Sequence, residues 1–241
     1  MQEFVIRKGS ERGYAKRDWL ESYHSFSFAH YYDPLHMQFS VLRVINDDII
    51  APAKGFGMHP HNDMEIITYM LDGELQHRDS MGNTSVIMAG DVQRMTAGSG
   101  IVHSEVNASN TTEAHLLQIW VLPERLNLEP SYEEKNFSLA QKLNRWCLIA
   151  ARDASHGVLS VHQDMQLYAT ILDTNAVVSY TLRAKRSAYL QVARGSIDVN
   201  GKTLLAGDAV MLNGTVELMV KANDPSELLL FDLPLHQDNT V

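Results

Sequence analysis

Apolar and polar positions alternate with a period of two through most of the chain, and turn residues interrupt the alternation at short intervals. Ser40-Val41-Leu42-Arg43-Val44-Ile45 reads as a strand that stops at Asn46-Asp47-Asp48. The β-branched and aromatic run from Glu65 to Leu71 stops at Asp72-Gly73, a hairpin signal. Shorter runs end at Gly82-Asn83, at Gly90-Asp91 and at Gly98-Ser99-Gly100, and Ala114 to Val121 reads as a buried strand closed by Pro123. Strands at turn spacings of about 8–12 residues predict an all-β sandwich or barrel. The one convincing helix candidate lies near Leu139 to Trp146, in a polar segment between Pro123 and Cys147 that carries Pro130. That segment is the expected boundary, dividing the chain into residues 1–130 and 131–241. Strands resume beyond it: Tyr189 to Val192 enters Arg194-Gly195, Ile197 to Val199 enters Asn200-Gly201, and Leu228 to Phe231 precedes Pro234.

The two halves share a weak repeat. Asp72-Gly73 followed by Ala89-Gly90-Asp91 parallels Arg194-Gly195 followed by Ala206-Gly207-Asp208, and each first glycine is entered by a β-rich run. A duplicated barrel is the expectation.

Composition narrows the class of function. The 241 residues are 45% hydrophobic and 20% charged, enough for a core in each half. A net charge of −9 and the lack of any basic run argue against a nucleic-acid partner, which needs clustered Lys and Arg. Cys147 is the only cysteine, so an intrachain disulfide is excluded and a thiolate metal site nearly so. The N-terminal residues lack a signal-peptide pattern, and no stretch approaches the roughly 18 apolar residues of a membrane span. A cytoplasmic protein with no membrane association is expected.

Two short pairs stand out among the 11 histidines: His59-Pro60-His61 and His103-Ser104-Glu105. Side chains at i and i+2 on a strand share a face, so each pair aims two donors into one barrel interior. Three imidazoles and one carboxylate suit Fe, Mn, Co, Ni, Cu or Zn. Pro60 fixes its own φ, restricts His59 to extended geometry and removes one ladder donor, which predicts a strand start or an edge.

These motifs carry a family resemblance. Gly57-Met58-His59-Pro60-His61-Asn62-Asp63-Met64-Glu65, continuing to Gly73, resembles the first cupin motif. Ala89 to Glu105, with Gly98-Ser99-Gly100-Ile101-Val102-His103-Ser104-Glu105 at its end, resembles the second motif in its pirin version. Tyr23-His24-Ser25-Phe26-Ser27-Phe28-Ala29-His30-Tyr31-Tyr32-Asp33-Pro34 and His162-Gln163-Asp164-Met165 are also similar to pirins. The resemblance implies a bicupin: two tandem double-stranded β-helix (jelly-roll) barrels, with one metal in the N-terminal barrel held by His59, His61, His103 and Glu105. Fe(II) is the first expectation for this ligand set, which does not exclude Mn, Co, Ni, Cu or Zn. Pirins resemble quercetin 2,3-dioxygenases, so the implied reaction is oxygenative ring opening of a flavonol, or a related aromatic enol, by dioxygen with release of carbon monoxide. Glu105, as ligand and base, is the expected proton acceptor. Glu65 departs from simpler cupins, where the first motif supplies the carboxylate ligand; here it is expected behind the ligands.

Two other readings differ in class. A metal- or redox-responsive regulatory protein would use the same ligands to change its affinity for a protein partner, with little turnover. A zinc hydrolase fits the residue types but lacks a clear second base. The repeat supplies an internal comparison: the positions equivalent to the four ligands are Thr181, Arg183, Val220 and Ala222, not a metal set. The second barrel is expected to have no metal site. His24, His30 and His36 are expected as structural or surface residues, His115 as a hydrogen-bonded core histidine, and His162 without a partner at ligand spacing. Met58, Met64 and Met95 are expected to pack rather than line a pocket.

Overall fold

The computed structural model describes residues 4–155 and 157–235. After β1 (Phe4–Arg7) come β2 (Gly13–Arg17), β3 (Leu20–His24), β4 (Leu42–Ile50) and β5 (Gly55–His61). β6 (Glu65–Asp72), β7 (Glu74–Asp79), β8 (Thr84–Met88), β9 (Asp91–Thr96), β10 (Ile101–Asn107), β11 (Ala114–Val121) and β12 (Ser131–Asn136) follow. A single helical turn, α1 (Leu139–Lys142), leads to β13 (Cys147–Ala151), β14 (Leu159–Ser160), β15 (Gln166–Leu172), β16 (Val177–Leu182) and β17 (Arg186–Arg194). The described chain closes with β18 (Ser196–Val199), β19 (Lys202–Leu205), β20 (Ala209–Asn213), β21 (Val216–Ala222) and β22 (Ser226–Pro234).

The repeat is visible in the sheet orders. One seven-stranded sheet runs β12-β9-β6-β11-β4-β3-β2 and faces a four-stranded sheet β5-β10-β7-β8; the second pair runs β1-β20-β17-β22-β15-β13-β14 and β16-β21-β18-β19. Two cupin-type barrels therefore stand in tandem. Two strands are exchanged: β1, from the very start of the chain, pairs with β20 in the second barrel, and β12 pairs with β9 in the first. Gly73 and Gly195 occupy matching one-residue links, β6 to β7 and β17 to β18, at φ +72° and +82°. At Gly73 a Cβ would collide with the Glu113 carbonyl oxygen, so glycine is required there.

The large sheets of the two barrels pack against each other. β6 is buried from Glu65 through Leu71, because one face looks into its own barrel and the other into the neighbouring one. Ile67, Tyr69 and Leu71 share a core cluster with Tyr189, Leu229 and Phe231 of the second barrel. A strand covered on both faces reads as a mostly apolar run, as Ile66 to Leu71 does around Thr68. A polar group crosses this interface: the Tyr69 hydroxyl donates to Glu227 Oε1 at 2.5 Å, Lys142 Nζ donates to the Tyr69 oxygen at 2.9 Å, and Lys142 lies 3.8 Å from Glu227.

Two sequence expectations change here. β4 does not stop at Asn46-Asp47-Asp48 but runs through to Ile50. Asn46 and Asp48 point inward and are buried, while Asp47 points the other way to Arg12 (3.0 Å) and His115 (2.7 Å). The polar triplet mimics a turn because the barrel interior is polar at that level. The helix is one turn only, ended by Leu143 in extended geometry and Asn144 at φ +54°. No helix among the described residues is long and apolar enough to cross a membrane.

Candidate metal centre and adjoining cavity

His59 and His61 lie on β5, an edge strand, where Pro60 costs the sheet little. β10 is its neighbour, and the register sets His103 opposite His59 and Ile101 opposite His61. Between His103 and Glu105 the pairing shifts, so that Glu105 faces Phe56 and β5 carries an extra residue around Gly57 and Met58. Such a bulge re-aims the following side chain. It also places the Gly57 carbonyl 2.7 Å from His59 Nδ1, which must donate to it, leaving Nε2 as the free donor atom.

The three imidazole rings meet at centroid distances of 4.4 to 4.9 Å, with one ligating atom of each within 4.8 Å of the others. His103 is buried and neither ring nitrogen has a hydrogen-bond partner among the described residues. An orphaned buried imidazole is costly unless something else satisfies it, and a metal ion would. Burial, reinforced by the neighbouring imidazoles, pushes His61 down to about 4 and His103 down to about 3. Both are therefore neutral at physiological pH, the form that ligates metal. The donor set fits a divalent transition metal.

Glu105 sits at the middle of a polar row that sequence alone did not reveal. His24, Asn46, Gln118, Thr68 and Gln93 stand directly opposite one another across β3, β4, β11, β6 and β9. Gln118 Nε2 donates to one Glu105 oxygen at 2.7 Å; Gln93 Nε2 at 3.0 Å and Thr68 Oγ1 at 3.2 Å donate to the other. The ligating oxygen of Glu105 groups with His103 and with His77 rather than with His59 and His61. Thus three of the sequence candidates converge in one cluster, and the fourth adjoins it through His103. His77 carried no motif weight in the sequence. It is buried on β7 with Nε2 3.0 Å from Asp79 Oδ2, and its ring stacks on Tyr132 at 4.5 Å. Its i,i+2 spacing to Asp79 on one strand face is the signal that would have found it.

The other candidates fall elsewhere. Glu65 is buried away from both groups, accepting from Thr96 Oγ1 at 3.1 Å and lying 3.3 Å from His162 Nδ1. His162 thus has a carboxylate partner that its sequence spacing did not suggest. His24 donates through Nδ1 to Asn46 Oδ1 at 2.8 Å and, with His30, lines the cavity described below. His36 is half-buried, 3.9 Å from Asp33. His115 is half-buried rather than core, bound to Asp47. Met95 packs in a core cluster with Met64 against it, and Met58 is exposed.

A cavity of about 440 Å³ opens beside the cluster, with His59, His61 and Glu105 in its wall. Leu20, Phe28, Phe56 and Trp120 make it largely apolar; Ser22, Asn46, Asp48 and Gln118 add polar points. Trp120 meets His61 edge-on at 5.0 Å. The matching cavity of the second barrel, about 570 Å³, is lined by Thr181 and Arg183 with Arg152, Arg186, Asp164 and Asp232. Among the described residues, no group of three metal-ligating side chains lies in that barrel.

Comparison with known proteins agrees with this architecture. The family profile described as Pirin matches residues 6–121, and that described as Quercetinase C-terminal cupin domain matches residues 148–233. A quercetin 2,3-dioxygenase of Escherichia coli K12 is 46% identical over 229 residues, covering 95% of this chain and 98% of that protein. The crystal structure of YhhW from Escherichia coli superposes with a TM-score of 0.92 at 45% identity, covering 98% of this chain and all of that one. A second structure, of the bacterial pirin YhhW in complex with nickel(II), gives the same TM-score at 44% identity over 97% of this chain and 100% of that chain. With matching profiles over both barrels and relatives alike along nearly their whole length, the chain belongs to the pirin family of bicupin proteins.

Proposed function

We propose that this protein is a metal-dependent flavonol 2,3-dioxygenase: flavonol and dioxygen give a ring-opened depside and carbon monoxide. One observation carries the reading. Converging imidazoles and an adjoining carboxylate open onto a largely apolar cavity, whose volume lies in the ~300–1,000 Å³ range of small-molecule sites. A relative that binds nickel(II) and one named for quercetin cleavage support it.

His59, His61, His103 and Glu105 would hold the ion, with iron(II) our first choice and nickel accepted by the same donors. When bound, the metal supplies Lewis acidity toward a hydroxyl oxygen and a redox path between substrate and dioxygen. The protein does the rest. Glu105 accepts the proton of the 3-hydroxyl, and Gln118, Gln93 and Thr68 keep its carboxylate from swinging away. The bond from His59 Nδ1 to Gly57 fixes the imidazole's tautomer before substrate arrives. Phe56 and Trp120 pack against His59 and His61 and give the reacting face an apolar wall.

The test is to load metal-free protein with Fe(II), and separately Ni(II), without oxygen, add quercetin, then admit air while following flavonol absorbance and carbon monoxide. Oxygen-dependent bleaching with stoichiometric carbon monoxide, absent in His61→Ala, is the expected result. Bound metal without either signal would refute the enzyme and leave the metal-responsive binding reading. A Glu105→Ala protein that keeps both metal and full activity would remove the base assignment.

A further inference from the structure

The ligand cluster accounts for part of the cavity wall; Asp48 stands in the same wall without a part in the reaction above. On β4 it lies opposite Ser22 of β3 and Leu116 of β11. The Ser22 hydroxyl donates to Asp48 Oδ1 in a short hydrogen bond, and Oδ2 takes no hydrogen bond among the described residues. The residue is almost fully buried, and the cavity around it is mostly carbon: Leu20, Phe28, Phe56 and Trp120. With no donor from the protein, that oxygen is open to the cavity and can be satisfied only by what enters it. The same oxygen becomes an asset when a ligand brings it a hydroxyl.

We propose that Asp48, steadied by Ser22, selects polyhydroxylated aromatic ligands by bonding a phenolic hydroxyl remote from the one that meets Glu105. The proposal rests on the flavonol reading and adds to it the group that recognises the substrate's second polar end. Apolar walls admit the flat rings of any flavone skeleton. A buried polar group discriminates much more strongly, because it is left unpaired by an analogue that lacks the hydroxyl. Burial pushes the Asp48 carboxyl up to about 7. Near neutral pH it can therefore accept from a phenol as a carboxylate or donate to it as an acid.

The experiment uses protein loaded with nickel(II) and kept free of oxygen, so that binding is read without turnover. It is titrated with quercetin, hydroxylated on all its rings, and with 3-hydroxyflavone, which has only the reacting hydroxyl; quenching of tryptophan emission gives each Kd. Wild-type protein is expected to prefer quercetin by about 10- to 100-fold. In Asp48→Leu the preference should vanish through weaker quercetin binding, with 3-hydroxyflavone bound as well as before or better. Retained 3-hydroxyflavone binding shows that the variant cavity is intact. Asp48→Asn, nearly isosteric, covers the case in which Asp48→Leu does not fold, and its preference should fall partway. Full wild-type preference in the variants, or an equal loss for both ligands, would overturn the proposal. So would equal wild-type affinity for the two flavonols, which leaves the flavonol reading standing. Wild-type protein that binds neither would overturn both.

Discussion

Replacing Asp48 by Asn should stabilise the metal-free protein, and the gain should grow as pH rises. Burial is the main cause of the carboxyl's move from 3.8 to about 7; Asp47 and Glu105 add to it, and the Ser22 hydrogen bond opposes it. The folded state thus holds this proton more tightly than the unfolded state. Stability linked to the group is complete below about pH 3.8 and is lost as pH rises through about 7. Each pH unit within that window costs about 1.4 kcal/mol, so the whole span is worth roughly 4 kcal/mol. Between pH 5.5 and 8 wild type should lose about 2 kcal/mol that the amide variant keeps. At roughly 2–4 °C per kcal/mol for a chain of this size, the gap in Tm should widen by about 4–8 °C. Thermal melts of both proteins in chelator, from pH 5.5 to 8.5, make the measurement, and subtracting one from the other removes every group that titrates alike in both. A Tm gap that stays flat or narrows over this range would refute the argument from burial.

Other consequences follow from contacts already described. Glu227→Ala would leave Lys142 and the Tyr69 hydroxyl buried together between the barrels, at a cost of about 3–5 kcal/mol in urea unfolding. Lys142→Met combined with Glu227→Gln should recover most of that loss. Gln118→Leu should weaken metal binding by about 10- to 100-fold in competition with a chromogenic chelator, because it frees one Glu105 oxygen. Gly73→Ala should cost about 1–3 kcal/mol or more, since its left-handed link also presses on the backbone of Glu113 and Ala114. Gly82→Ala, also at positive φ but in open space, should shift the urea midpoint less.

What the sequence revealed was local. His59-Pro60-His61 and His103-Ser104-Glu105 were legible because i,i+2 spacing on a strand is a geometric fact before any fold is known. The glycine links were legible because turn chemistry is carried by one or two residues. Gln118, Gln93 and Thr68 left no mark, since their row exists only through the pairing of five strands. Asn46 and Asp48 were misread for a related reason: polar residues inside a barrel look like turn residues in one dimension. The exchange of β1 and β12 is likewise invisible, because a short alternating strand does not announce its partner. His77 was the one avoidable omission, lying in a His-x-Asp pair of the kind already counted elsewhere.

The strand exchange has a bearing on how the chain comes to be made. β1 leaves the ribosome roughly 200 residues ahead of its register partners, Leu212 opposite Phe4 through Ala209 opposite Arg7. β1 must wait, unpaired, until β20 is made, and such distant pairing is slow to form. The first barrel can close once β12 is made, whereas the second cannot finish its sheet from its own half of the chain. A fragment ending at residue 130 would bare the edge of β9, and one starting at residue 131 would bare the edge of β20. Open edges of that kind invite pairing with other molecules. Lys8 and the Gly9 amide, both bonded to Asp208 at 2.9 and 2.7 Å, fasten the returning end in place. The duplication that gave two similar barrels has in this way left each dependent on a strand from beyond its own half.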